Sequence, residues 1–203
     1  MIGYLILAAV AVFFAVIAIR TLNFKPKPQP VTSEEAIVFD KDGAIANLAE
    51  LIRCKTISYY DHSLEDDAEF EKLIALLPKL YPHVFEICEF QQLPDRALLF
   101  RWPGKQPGNP AVLMAHYDVV PVNEENWDKP PFDAIIEDGV LWGRGTLDTK
   151  STVNGVLFAA NHLMGEGWQP EHDIYFAFSG GEEVNGMGAP NIVQYFVDHN
   201  IEP

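Results

Sequence analysis

Residues 111–118 run Ala111-Val112-Leu113-Met114-Ala115-His116-Tyr117-Asp118. Five apolar residues followed at once by a histidine and an acid read as a short strand that delivers polar groups at its carboxyl end. Side chains two apart in an extended chain point the same way, so His116 and Asp118 can share a face. In α/β folds the carboxyl ends of strands are where ligands and chemistry are placed. If His116 binds a metal through one ring nitrogen, Asp118 is placed to accept a hydrogen bond from the other. A His–Asp pair that simply closes a strand is the competing reading of this stretch alone.

Two further stretches repeat the arrangement. In Leu141-Trp142-Gly143-Arg144-Gly145-Thr146-Leu147-Asp148-Thr149-Lys150, two glycines let the chain turn tightly and present Asp148 at the mouth of a following helix. This is not a dinucleotide loop, because Asp148 stands where the third glycine of Gly-x-Gly-x-x-Gly belongs and would repel a pyrophosphate. Asp148 also suits a helix N-cap, a role compatible with metal ligation because a carboxylate has two oxygens. In Ile174-Tyr175-Phe176-Ala177-Phe178-Ser179-Gly180-Gly181-Glu182-Glu183, two adjacent carboxylates follow a nearly all-apolar strand. They repel each other unless solvated or held beside positive charge. The surrounding Gly180, Gly181, Gly186 and Gly188 point to a loop whose backbone shape is dictated by a site.

The three stretches contribute one imidazole and four carboxylates. Hard oxygen donors with one His suit Zn²⁺, Mn²⁺ or Co²⁺, and a carboxylate can bridge two such ions about 3.5–4 Å apart. The two glutamates could then divide labour, one ligating and one acting as general base.

Around these stretches the apolar spacing predicts helices at Ile45–Ile52 and Phe70–Leu80, the second behind the acidic turn Glu65-Asp66-Asp67. A third helix is predicted over Thr149–Met164, ended by Gly165 and Gly167. Strands are predicted at Val84–Phe90, Ala97–Trp102, Ala111–Ala115 and Ile174–Phe178. Strands interleaved with helices give an α/β layer fold.

Composition narrows the function. With 14 Lys+Arg against 29 Asp+Glu the chain carries −15 formal charges, and no basic patch is available for nucleic acid. The 48% hydrophobic content excludes a disordered acidic tail. Cys54 and Cys88 are too few for a disulfide framework, are not spaced as a metal pair, and read as free thiols.

The amino terminus is different in kind. From Ile2 to Ile19 no charge interrupts the sequence, and Arg20 closes the run. As a helix it spans roughly 27 Å, close to the thickness of bilayer hydrocarbon, and Leu22 extends it. No Lys or Arg precedes it, and its Ala9-Val10-Ala11 triplet lies inside the run, which favours an uncleaved anchor over a signal peptide. Arg20, Lys25 and Lys27 follow it, so the positive-inside rule would keep the body cytoplasmic. Lys25-Pro26-Lys27-Pro28-Gln29-Pro30 is a semi-rigid extended spacer. The expected organisation is an anchor at 1–22, a proline-rich linker at 23–33 and a catalytic portion at 34–203.

The blocks AVLMAHYDVVPV, LWGRGTLDTKSTV and FSGGEEVNGMGA, in this order and spacing, resemble the dinuclear zinc peptidases of the aminoacylase and carboxypeptidase G and S type. The likeness is strongest to the carboxypeptidase S and N-fatty-acyl-amino-acid hydrolase branch and covers roughly Asp40 to Pro203. It implies a mixed-sheet, zinc-exopeptidase-like α/β catalytic domain, incomplete within these residues and preceded by one transmembrane helix. It further implies that His116 ligates one zinc, Asp118 orients His116 and is counted as catalytic, Asp148 bridges both ions, Glu183 ligates the other, and Glu182 is the general base. Cobalt or manganese could replace zinc. Gly181 stands where the family usually has a further acid.

The family's remaining ligands, an acid beyond the Glu pair and a distal His, have no counterpart before Pro203, nor has the lid or dimerisation domain. The expectation is therefore a membrane-anchored hydrolase that cleaves a peptide or N-acyl-amino-acid amide next to a free carboxylate. The full-length protein would be a homodimer, and the 203 residues would be inactive alone. A biosynthetic deacylase of the same family, or a non-catalytic membrane-tethered binding module, are the alternatives.

Overall fold

The computed structural model describes residues 2–25 and 38–203, which fall in two units, 1–39 and 40–203. In the first, helix α1 runs Ile2–Leu22 and exposes apolar side chains all round its circumference. Its 21 residues are long and apolar enough to cross a bilayer, a property that a signal sequence near the amino terminus shares. All of the expected proline spacer except Lys25 lies outside the described residues.

In the second unit, helices α2 (Lys41–Ile52), α3 (Asp67–Leu80) and α4 (Pro82–Ile87) precede strands β1 (Glu89–Leu93), β2 (Ala97–Trp102) and β3 (Ala111–His116). A short hairpin, β4 (Ile135–Glu137) and β5 (Val140–Trp142), leads into α5 (Lys150–Gly165), β6 (Ile174–Ser179) and α6 (Gly188–Asp198). Asp40 and Asp66 start α2 and α3 by accepting backbone N–H bonds from Gly43 and Ala68.

The main sheet has the order β1-β2-β6-β3. β1, β2 and β6 pair antiparallel, whereas β3 lies parallel to β6, so the sheet is mixed. Strand periodicity assigns its two faces. Leu98, Phe100, Trp102, Phe176 and Phe178 pack with α5 residues Val153 and Leu157 and with Leu51, Phe70, Leu77 and Val84 of the first three helices of this unit. The alternate residues Ala97, Leu99, Tyr175 and Ala177 meet Ile192 and Phe196 of α6. Helices on both faces make β2 and β6 almost wholly buried, which explains their continuous apolar sequence. β3 is an outer strand, with Met114 69% exposed.

One predicted strand fails. The predicted strand Val84–Phe90 is helical from Pro82 to Ile87, and β1 begins only at Glu89. Pro82 at the first helical position supplies the preset φ that starts the turn, and Val84 drops into the core, overriding the β preference of this run. Two elements were not anticipated. One is α6; the other is the β4–β5 hairpin, whose Asp138-Gly139 turn has positive φ at both residues (51° and 77°). Cys54 and Cys88 are buried free thiols.

Candidate metal centre

The parallel register of β3 and β6 sets His116 opposite Ser179, so the two strands end side by side and their following loops share one space. Asp118 leaves the first, and Glu182 and Glu183 the second, in a short 3₁₀ turn over Glu182–Val184. Gly180 is required between them: a Cβ there would lie 2.6 Å from the Tyr117 ring.

His116 is buried, with its ring slotted between acids. Nδ1 lies 3.1 Å from the backbone oxygen of Asp118 and 3.4 Å from its Oδ1. Nε2 points the other way, 2.9 Å from Asp148 Oδ1 and 3.7 Å from Glu182 Oε2. Burial alone would lower the imidazole pKa, but hydrogen bonds and charge from Asp118 and Asp148 outweigh it and push it up to about 9.

Asp118 is inaccessible to solvent and accepts bonds from three donors on two pieces of chain. Ser58 Oγ donates to Oδ2 at 2.8 Å, and the amides of Glu182 and Glu183 donate to Oδ1 and Oδ2 at 3.1 and 3.2 Å. Burial would raise its pKa, yet these bonds together with His116 hold it below the ordinary carboxylate range.

Asp148 arrives from the loop between β5 and α5. Gly145, at φ 86°, lets that loop pass close to Val119, which a Cβ would meet at 2.7 Å. The Lys150 amide closes the loop onto Gly145 O at 3.0 Å, and the Asp148–Thr149 peptide is cis. Asp148 does not cap α5: Thr149 holds the cap position without a side-chain capping bond, and its hydroxyl donates instead to His116 O at 3.0 Å.

Donor atoms of His116, Asp148 and Glu183 all lie within 4.8 Å of one another. Glu183 titrates above its ordinary range, chiefly through burial and then through the charges of Asp148, Asp118 and Glu182. Among the described residues, the one ion-pair partner of Asp148 and Glu182 within 4 Å is His116. Carboxylates gathered around one imidazole with no Lys or Arg interleaved form a donor set suited to divalent cations. The carboxylates of Asp148 and Glu182 stay largely open to solvent, leaving a face for substrate.

All five residues singled out in the sequence are therefore brought together. Ser58 and Thr149, which hold Asp118 and His116 in place, were not. Ser58 lies 60 residues before Asp118 and carries no local pattern that would single it out.

Residues 112–203 match peptidase family M20/M25/M40. This portion of the chain belongs to that family. The M20 peptidases are dinuclear metal-dependent enzymes. Across more of its length the chain is 35% identical over 161 residues to "Probable carboxypeptidase S-like 2" of Dictyostelium discoideum, covering 77% of this chain and 31% of that protein. It is 30% identical over 214 residues to the N-fatty-acyl-amino acid synthase/hydrolase PM20D1.1 of Danio rerio, covering 98% and 41%. The chain thus spans about a third to two fifths of these M20-type relatives. In fold it is similar to human carnosine dipeptidase 1, with TM-score 0.65 at 17% identity over 77% of this chain and 36% of the other.

Proposed function

We propose that the chain forms the ligand-bearing portion of a dinuclear zinc hydrolase, held at a membrane by residues 2–22, that cleaves a peptide or N-acyl-amino-acid amide next to a free carboxylate. The observation that carries this reading is the convergence of His116, Asp148 and Glu183 within 4.8 Å, with the Glu182 carboxylate beside them.

In this reading His116, through Nε2, Asp148 and Glu183 would hold the metal. When bound, zinc would polarise the amide carbonyl and lower the pKa of the attacking water. Asp118 keeps the proton of His116 on Nδ1, leaving the Nε2 lone pair free. Its hold on the Glu182 amide fixes the segment from which Glu182 takes a proton from water and later returns it to the leaving amine. The site lies at the carboxyl ends of β3 and β6, whose parallel pairing sets His116 beside Ser179. The three ligands found among the described residues are fewer than two tetrahedral zinc ions require, so the 203-residue chain should hold metal weakly and turn over slowly.

Zinc content after equilibrium dialysis, together with hydrolysis of N-acyl amino acids by the 203-residue chain, tests this. Weak zinc binding abolished in H116A supports the reading. Zinc binding that H116A, D148N and E183Q all leave intact overturns it.

A further inference from the structure

Several buried hydrogen bonds close to the candidate metal centre converge on one stretch of chain, residues 51–58. Lys150 is inaccessible to solvent, and its Nζ donates to Leu51 O at 3.0 Å and to Cys54 O at 2.6 Å. Thr56 Oγ1 donates to Tyr117 O at 2.6 Å, and the Val119 amide donates to Thr56 O at 2.9 Å. Ser58 Oγ donates to Asp118 Oδ2 at 2.8 Å, and the Ser58 amide donates to Val119 O at 3.0 Å. Lys150, Thr56 and Ser58 are all buried.

The stretch is therefore fastened at one end to the start of α5, two residues beyond Asp148. At the other end it is fastened to the loop that follows His116. The ammonium sits against carbonyls at the end of α2, where the helix dipole is negative. For stability alone a buried ammonium is a poor choice, because its desolvation offsets much of what its bonds contribute and an apolar chain of similar volume would serve. A charged, multiply bonded tie is useful where a distance has to be held.

We infer that residues 51–58 form a strap that fixes the separation between His116 and Asp148 and the orientation of the Glu182–Glu183 turn, with Lys150 and Ser58 as positioning residues. Neither touches substrate or metal; both act through Asp118, His116 and Asp148. The inference rests on the reading that His116, Asp148 and Glu183 hold divalent metal.

The test uses S58A and K150M in the full chain, titrated with Co²⁺ and followed by its visible absorption. Each variant should weaken Co²⁺ binding at least tenfold and alter the band shape. The double variant should lose less than the product of the two single losses, because a strap cut at one end no longer works at the other. Ile192→Ala, on the opposite face of the sheet, serves as the control: it should lower the melting temperature while leaving the cobalt band as in wild type. Unchanged cobalt affinity and band shape in S58A and K150M would overturn the strap. If K150M does not fold, S58A decides alone.

A second measurement separates the strap from the metal reading. Without metal, S58A should speed hydrogen exchange at the Glu182 and Glu183 amides at least tenfold, since both donate to the carboxylate that Ser58 holds. Exchange as slow as in wild type rejects the strap whatever the protein does with cobalt. A wild type that binds no cobalt, with the exchange effect present, rejects only the metal reading.

Discussion

The backbone amide of Glu182 donates to Asp118 Oδ1 at 3.1 Å, while the carboxylate of the same glutamate lies 3.7 Å from His116 Nε2. Asp118 thus holds the base candidate and the histidine on one scaffold. Asparagine at 118 keeps the shape but loses the charge and one of the two acceptor oxygens. D118N should weaken zinc binding by about 10- to 100-fold, the range usual for partners of metal-bound histidines. Competition against a chromophoric chelator measures it, and wild-type affinity would show that Asp118 is only structural.

Glu182→Gln separates ligation from proton transfer. In an assembly with turnover it should lower kcat by about 10²- to 10⁴-fold, the usual contribution of a positioned general base. Zinc content should stay at the wild-type level, because the proposed ligand set is His116, Asp148 and Glu183. Parallel loss of zinc would move Glu182 from base to ligand.

Lys150 makes stability pH-dependent in the alkaline range. Burial pushes its pKa from 10.5 down to about 8. Between those values the unfolded chain still holds a proton that the folded chain has released, so unfolding free energy rises with pH across that window. Urea unfolding of wild type and K150M at pH 8 and 10 should show the wild type gaining up to about 1.4 kcal/mol per pH unit over the variant. A constant difference between the two proteins would contradict it.

Glu65 acts at the other end of the scale. Burial alone would raise its pKa, but the Tyr59 amide, Arg96 and His62 outweigh that and hold it below the ordinary value. The resulting stability is complete above about pH 4.5, the unfolded value, and fades as pH falls through the folded one. E65Q should lower stability at pH 7 by about 2 kcal/mol and flatten the acid limb of the unfolding curve. An acid limb as steep as in wild type would place the effect elsewhere.

The amino-terminal helix gives a prediction by mass. An uncleaved anchor predicts an intact amino terminus in the membrane fraction after alkaline carbonate extraction. A mass lacking the Ile2–Leu22 segment would make it a signal peptide.

Much of the sheet was legible because β2, β3 and β6 are apolar runs bounded by turn residues, and their carboxyl-end polar groups stood out for the same reason. The α4 segment was misread because Val84, Phe85 and Ile87 favour strands in isolation, and only the core contact of Val84 reveals the helical choice. Helix α6 hides behind a glycine-rich loop, and beside Gly188 its buried face shows just two large apolar residues, Ile192 and Phe196, four residues apart. The β4–β5 strands are three residues each, too short for periodicity to register. Ser58 and Lys150 were beyond local reading altogether, because a hydroxyl and an ammonium announce no partner 60 or 96 residues away.

The strand order has a consequence for how the protein is made. Among the described residues β6 is the last strand in the chain, yet it lies between β2 and β3 and is the sole ladder partner of β3. During synthesis His116 leaves the ribosome more than sixty residues ahead of Ser179, the residue it faces across the ladder. Until that strand emerges, the β1–β2 pair presents an open apolar edge, and β3 waits without a neighbour. His116 and the Glu182–Glu183 turn are therefore brought together only after residues 174–183 have been made and have entered the gap between β2 and β3.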